Sequence, residues 1–141
     1  MNIYTGGSFN LFHEGHVELL EYCRKLAGDG QVIVALNTDD FIARFKGKAP
    51  TMTYSQRRAV LLSCKYVDNV IPNYDGEDSK PSILDAKADM IVIGMDWLDK
   101  DYCKQMSFNS EWLNKNKIAL CYVPRTTGTS TTKIKEIVKN G

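Results

Sequence analysis

Apolar residues along this chain fall into short continuous runs, separated by longer stretches in which they recur at helical spacing. Residues 2–5 read as a first strand, and residues 14–27 as a helix with Val17, Leu20, Cys23 and Ala27 on one face. Gly28-Asp29-Gly30 ends that helix. Gln31 to Asn37 is an unbroken, largely β-branched run, the pattern of a strand covered on both faces. Asn37-Thr38-Asp39-Asp40 closes it with residues suited to cap a short helical turn. Residues 44–53 lack periodicity, hold Gly47 and Pro50, and read as a basic loop. Thr53 and Gln56 have capping-box spacing, which predicts a helix to about Tyr66 with Ala59, Leu62 and Tyr66 on one face. Val67 to Pro72 reads as a strand, 73–81 as a loop with Gly76 and Pro81 as breakers, and Ser82 to Lys87 as a short helix. Met90 to Gly94 is another buried-type strand, followed by a helical stretch over about 100–114 and a last strand from Ile118 to Val123. Pro124-Arg125 ends this strand, and Ser130 caps a final helix with Ile134, Ile137 and Val138 as its buried stripe.

Strands alternating with helices imply an α/β fold: a single Rossmann-like domain over residues 1–141, with a parallel sheet of about five strands and helices on both faces. Ligands of such sheets bind beyond the carboxyl ends of the strands. The loop after the first strand, the Asp39 turn, Asp96-Trp97 and Arg125 to Thr132 all fall at those ends, so four distant segments are expected on one rim.

Composition narrows the class without naming a chemistry. With 18 basic and 17 acidic residues the net charge is +1, which gives no bulk attraction to nucleic acid or to a membrane surface. No apolar run approaches a membrane span, and the N-terminus lacks the pattern of a signal peptide. Cys23, Cys64, Cys103 and Cys121 are scattered, as expected of reduced thiols in a cytoplasmic protein.

The chemistry concentrates in Gly6-Gly7-Ser8-Phe9-Asn10-Leu11-Phe12-His13-Glu14-Gly15-His16. It holds both histidines of the chain, three positions apart at the start of a helix, where they share one face. Unpaired N–H groups and the helix dipole favour phosphate there, and two imidazoles beside it are suited to donate to charge that builds up in transfer. Gly6 and Gly7 are expected to turn the backbone sharply after the strand, and Gly15 to leave room for a nucleotide. A zinc half-site is a weaker reading, because the cysteines lack ligand spacing, and a dinucleotide loop would need Gly-x-Gly-x-x-Gly. Arg125-Thr126-Thr127-Gly128-Thr129-Ser130-Thr131-Thr132 joins a strand to a helix with a fan of hydroxyls and reads as a second phosphate device, although Ser130 would serve as a plain N-cap as well.

Gly-x-Phe-Asn followed by His-x-Gly-His resembles the signature of the nucleotidylyltransferase superfamily. Gly94-x-Asp96-Trp97, Tyr66-Val67-Asp68 and Arg-Thr-x-Gly-x-Ser-Thr-Thr-Lys-Ile make nearly the whole chain similar to its glycerol-3-phosphate cytidylyltransferase group. The resemblance implies transfer of CMP from CTP to glycerol 3-phosphate with release of pyrophosphate, Mg²⁺ travelling with the triphosphate, and a homodimer. It implies His13, His16, Lys46 and Arg125 as catalytic residues. Gly7, Ser8, Phe9, Asn10, Gly15, Thr126, Gly128, Ser130, Thr131 and Thr132 would bind the nucleotide, with Asp96 and Trp97 beside the base. Lys48, Arg57, Lys65 and Lys80 would face the acceptor, or, for Arg57, brace the loop. Asn10 departs from the group, which usually has aspartate there. Other phosphorylated acceptors, FMN adenylylation and a non-catalytic nucleotide-binding module remain as alternatives.

Overall fold

The structure, a computed structural model, describes residues 1–73, 78–94 and 108–124. Strands β1 (Ile3–Gly7), β2 (Val32–Asn37), β3 (Asn69–Asn73), β4 (Met90–Gly94) and β5 (Ala119–Val123) form one sheet in the order β3-β2-β1-β4-β5. Every pairing in it is parallel. The chain therefore reverses its direction of build between β1 and β4, and that crevice is where such sheets bind ligands.

Helices cover both faces, as the unbroken apolar run of β2 requires. Val32, Val34 and Leu36 face one side, with Leu20, Cys23 and Ala27 of α1 (Glu14–Ala27) and Leu61 of α3 (Tyr54–Ser63). Ile33 and Ala35 face the other, with Tyr4, Ile91, Ile83 of α4 (Lys80–Asp85) and Leu113 of α5 (Ser110–Lys115). Pro72 sits in β3 in register with Leu36, and β3 is an edge strand, where a missing N–H is tolerated. The Tyr66-Val67-Asp68 motif lies at the opposite, amino rim. There Asp68 accepts from the Val32 N–H at 2.7 Å and pairs with Arg24 at 2.6 Å, fixing the start of β2.

Several boundaries differ from the sequence reading. β1 runs on to Gly7, so both glycines belong to the strand and neither has a positive φ. Residues 39–46 form α2 (Asp39–Lys46), so Lys46 ends a helix and the basic loop begins only at Gly47. Thr38 caps α2 by accepting from the Phe41 N–H, and Gly47 stops it in the left-handed region at φ 77°. The capping box of Thr53 and Gln56 forms as read, but α3 stops at Ser63 and its buried residues are Arg57 and Leu61. Ala59 and Leu62 point to solvent, because the face that packs inward is organised around a buried arginine. Pro81 stands in the first turn of α4 instead of breaking the chain, since its missing N–H would be unpaired there anyway. The stretch read as helix over 100–114 contributes α5 at its end, while 100–107, Cys103 and the final helix lie outside the described residues.

Candidate active site

The site is built on the turn that follows β1. Phe9 (φ 47°) and Leu11 (φ 53°) take the left-handed conformation that the sequence suggested for glycine. That costs each residue roughly 1 kcal/mol or more. Phe9 is offset by burial, since it is 6% exposed, belongs to the α1-side core and lies with its ring centroid 5.1 Å from that of His16. Gly7 serves Phe9 by leaving space: a Cβ there would stand 3.2 Å from the Phe9 ring.

His13 is the N-cap of α1, in extended conformation. Its Nδ1 accepts from the Gly15 N–H at 3.0 Å, and the His16 Nδ1 accepts from the His13 N–H at 3.1 Å. The two rings stack with centroids 3.9 Å apart, and Phe12 stacks on His16 at 5.4 Å. A neutral imidazole that accepts at Nδ1 carries its proton at Nε2. Both histidines are thereby held in the tautomer that makes Nε2 a donor, at the helix end that already favours anions.

Three neighbouring segments are tied to this turn. Asn10 is buried, and its Oδ1 accepts from the Met52 N–H at 3.1 Å. Ser8 Oγ accepts from Asn37 Nδ2 at 3.1 Å, and Asn37 Oδ1 accepts from Asn73 Nδ2 at 3.0 Å, so the carboxyl ends of β1, β2 and β3 are linked side chain to side chain. Arg57 lies beneath with its side chain fully buried. It donates to the carbonyls of Ser8 (2.9 Å), Asn37 (2.8 Å) and Met52 (3.0 Å) and to Asp39 Oδ1 (2.7 Å). Asp39 Oδ2 in turn accepts from the Tyr54 N–H at 3.1 Å. These contacts make Arg57 a brace of the rim. The sequence placed Asn37 in the polar turn that closes β2 and gave no role to Asn73; only the side-chain contacts between adjacent strands reveal that the two are joined to Ser8.

The basic residues divide by position. Lys46 and Lys48 are exposed on the arm between Asp39 and Met52, both ends of which are anchored at the site. Lys80 opens α4 at the same rim, with Nζ 3.1 Å from Asp78 Oδ1. Lys65 follows the end of α3 and lies over the Tyr66 ring at the opposite rim, so the fold does not bring it to the histidines. The expected contributors Asp96, Trp97, Arg125, Thr126, Gly128, Ser130, Thr131 and Thr132 lie outside the described residues; β4 and β5 lead toward them from Gly94 and Val123. Among the described residues there is no group of three or more His, Cys, Asp or Glu side chains that could hold a metal ion. No helix among them is long and apolar enough to cross a membrane.

A family model described as cytidylyltransferase-like matches residues 4–137. The chain is 39% identical over 135 residues to the glycerol-3-phosphate cytidylyltransferase of Bacillus subtilis, spanning 95% of this chain and 94% of that protein. It is 32% identical over 139 residues to an FAD synthase of Pyrococcus horikoshii, spanning 96% and 90%. Among solved structures it is similar to a lipopolysaccharide core biosynthesis protein from Thermoplasma volcanium, with a TM-score of 0.67, 26% identity and coverage of 92% of this chain and 98% of that one.

Proposed function

The chain belongs to the cytidylyltransferase-like family and is a nucleotidyltransferase; we propose that it transfers CMP from CTP to glycerol 3-phosphate, forming CDP-glycerol and pyrophosphate. The observation that carries this reading is the pair of stacked imidazoles whose Nδ1 atoms are both occupied by backbone N–H groups. A site that only binds nucleotide needs affinity, whereas donors fixed before the substrate arrives lower the barrier at the point where charge develops.

A phosphate oxygen of the acceptor attacks the α-phosphorus of CTP in line. The new P–O bond forms as the bond to the α,β-bridging oxygen breaks, and pyrophosphate leaves with that electron pair. His13 and His16 donate from Nε2 to the α-phosphate and the bridging oxygen. Lys46 and Arg125 neutralise the departing pyrophosphate. The β1 turn from Gly7 to Asn10, Gly15 and the segment from Thr126 to Thr132 hold the nucleotide, with Asp96 and Trp97 beside cytosine. Lys48 and Lys80 face the acceptor phosphate, Arg57 keeps the rim in place, and Lys65 has no part in the site. Mg²⁺ would travel with the triphosphate and supply neutralisation of its charge, and no step is assigned to it. A homodimer and a cytoplasmic location belong to the same reading.

Glycerol 3-phosphate is preferred to FMN because identity is higher toward the cytidylyltransferase than toward the FAD synthase. Adenylylation of FMN is the second reading, on the strength of the latter similarity. Pyrophosphate release measured for CTP and ATP against glycerol 3-phosphate, phosphocholine, a heptose phosphate and FMN separates them. Turnover confined to CTP with glycerol 3-phosphate is expected. Turnover confined to ATP with FMN would move the chain to the second reading, and nucleotide binding with no turnover would overturn catalysis.

A further inference from the structure

We propose that Asn37 and Asn73 are positioning residues that turn the Ser8 hydroxyl outward, so that it donates its proton to a phosphate oxygen of the bound nucleotide. The inference rests on the reading of the β1 turn as the triphosphate site.

Asn37 and Asn73 are register partners at the carboxyl ends of β2 and β3. Asn73 is 1% exposed, so its amide must find its partners within the protein. The hydrogen bonds that satisfy it run in one direction. Tyr4 Oη lies 2.9 Å from Ser82 Oγ, and Ser82 Oγ donates to the Ser79 carbonyl at 3.0 Å and toward Asn73 Oδ1 at 3.5 Å. The single Ser82 proton is drawn chiefly to the nearer Ser79 carbonyl, which can only accept, so Tyr4 is the donor to Ser82. Burial of Tyr4 holds its phenol protonated and keeps it a donor. Asn73 Nδ2 then donates to Asn37 Oδ1, and Asn37 Nδ2 donates to Ser8 Oγ.

In the two amide links, Asn73 to Asn37 and Asn37 to Ser8, the donor in each case faces toward the site. Ser8 stands last. Its Oγ receives the Asn37 proton, so its own proton is directed away from Asn37, and aligned hydrogen bonds of this kind strengthen one another. Arg57 fixes the backbone on which this happens, since one nitrogen, Nη1, donates to the carbonyls of both Ser8 and Asn37. Backbone position and hydroxyl polarity at Ser8 are thus set by two separate devices. A hydroxyl held as a donor suits an anionic oxygen and disfavours a ligand N–H, which makes it a selector for phosphate.

Replacing either amide by a carboxylate reverses the ladder, because a carboxylate accepts and cannot donate. In Asn37→Asp the Ser8 proton turns inward to the new carboxylate. In Asn73→Asp the Asn37 amide flips, with the same result. Each variant is expected to lower kcat/KM by about 10- to 100-fold in the wild-type background, the scale of one lost hydrogen bond to a charged group. Each is expected to cost several-fold less in a Ser8→Ala background, where the added charge still acts but there is no hydroxyl to misdirect. Equal losses in both backgrounds, with folding confirmed by circular dichroism, would overturn the proposal. Asn37, at the half-buried end of the ladder, supports the cycle alone if the buried Asn73→Asp does not fold. Neutron diffraction of the deuterated wild-type protein tests the polarity apart from catalysis. A Ser8 deuteron pointing away from Asn37 supports the ladder even if no substrate pair turns over, whereas a deuteron on the line to Asn37 overturns it.

Discussion

His13 does two jobs with one ring. Nδ1 caps α1, and that capping bond is what leaves the proton on Nε2. The jobs separate in His13→Asn: asparagine is a strong N-cap, so thermal unfolding should stay within a few degrees of wild type while pyrophosphate release falls on the order of a hundredfold. His16→Ala should lose turnover on the same scale and, by removing an acceptor for the His13 N–H, also lower stability by about 1 kcal/mol in urea unfolding. Equal turnover in wild type and His16→Ala would remove the electrostatic role. Asn10 departs from the aspartate of the group that the chain resembles, yet the contact it makes here, an acceptor for the Met52 N–H, is one that either side chain can supply. The two histidines were legible from sequence because their geometry is local to one helical turn. The left-handed Phe9 and Leu11 were not, because what compensates them is burial against α1 and the core beneath.

The elements around the site are held by Arg57, which joins the β1 turn, the end of β2, the start of α2 and the loop before α3. Arg57→Met should cost about 3 kcal/mol in chemical denaturation, because three carbonyls lose their donor and the carboxylate of Asp39 loses its ion pair. Asp39→Asn should cost less, about 1 kcal/mol, since Asp39 is 42% exposed and an amide oxygen still accepts from Arg57. If the two variants cost the same, Arg57 acts through its ion pair and not through the carbonyls. Gly47→Ala should cost about 1 kcal/mol from the left-handed φ alone, because nothing lies within 4 Å of the added methyl. Pattern reading placed α3 correctly at its start and turned it the wrong way round, because an arginine in the buried stripe makes Ala59 and Leu62 look like the inward face.

At the scale of the whole molecule, two acids among the described residues are held protonated by the core. Burial, reinforced by the neighbouring Cys121, pushes the Cys23 thiol up to about 12 from its ordinary 9.0, and burial raises the Tyr4 phenol as well. The folded chain keeps protons that the unfolded chain releases, so stability is full below pH 9 and declines as pH rises through the window between 9.0 and about 12. The urea midpoint should therefore fall between pH 8 and pH 10.5, and Cys23→Ala should flatten that fall; an unchanged slope would show that Cys23 does not carry it. The alternation of strands and helices as far as β5, the coverage of β2 on both faces, the capping box of α3 and the imidazole pair on α1 were legible in the sequence, since each shows in spacing within a few residues. The clamp of Arg57 on Ser8 spans 49 residues, and the ladder from Asn73 through Asn37 to Ser8 spans 36 and then 29. Contacts at such separations leave no periodic trace in a chain. Only the tertiary structure, by bringing the carboxyl ends of neighbouring strands side by side, decided which polar side chains are buried together and toward which rim each charge points.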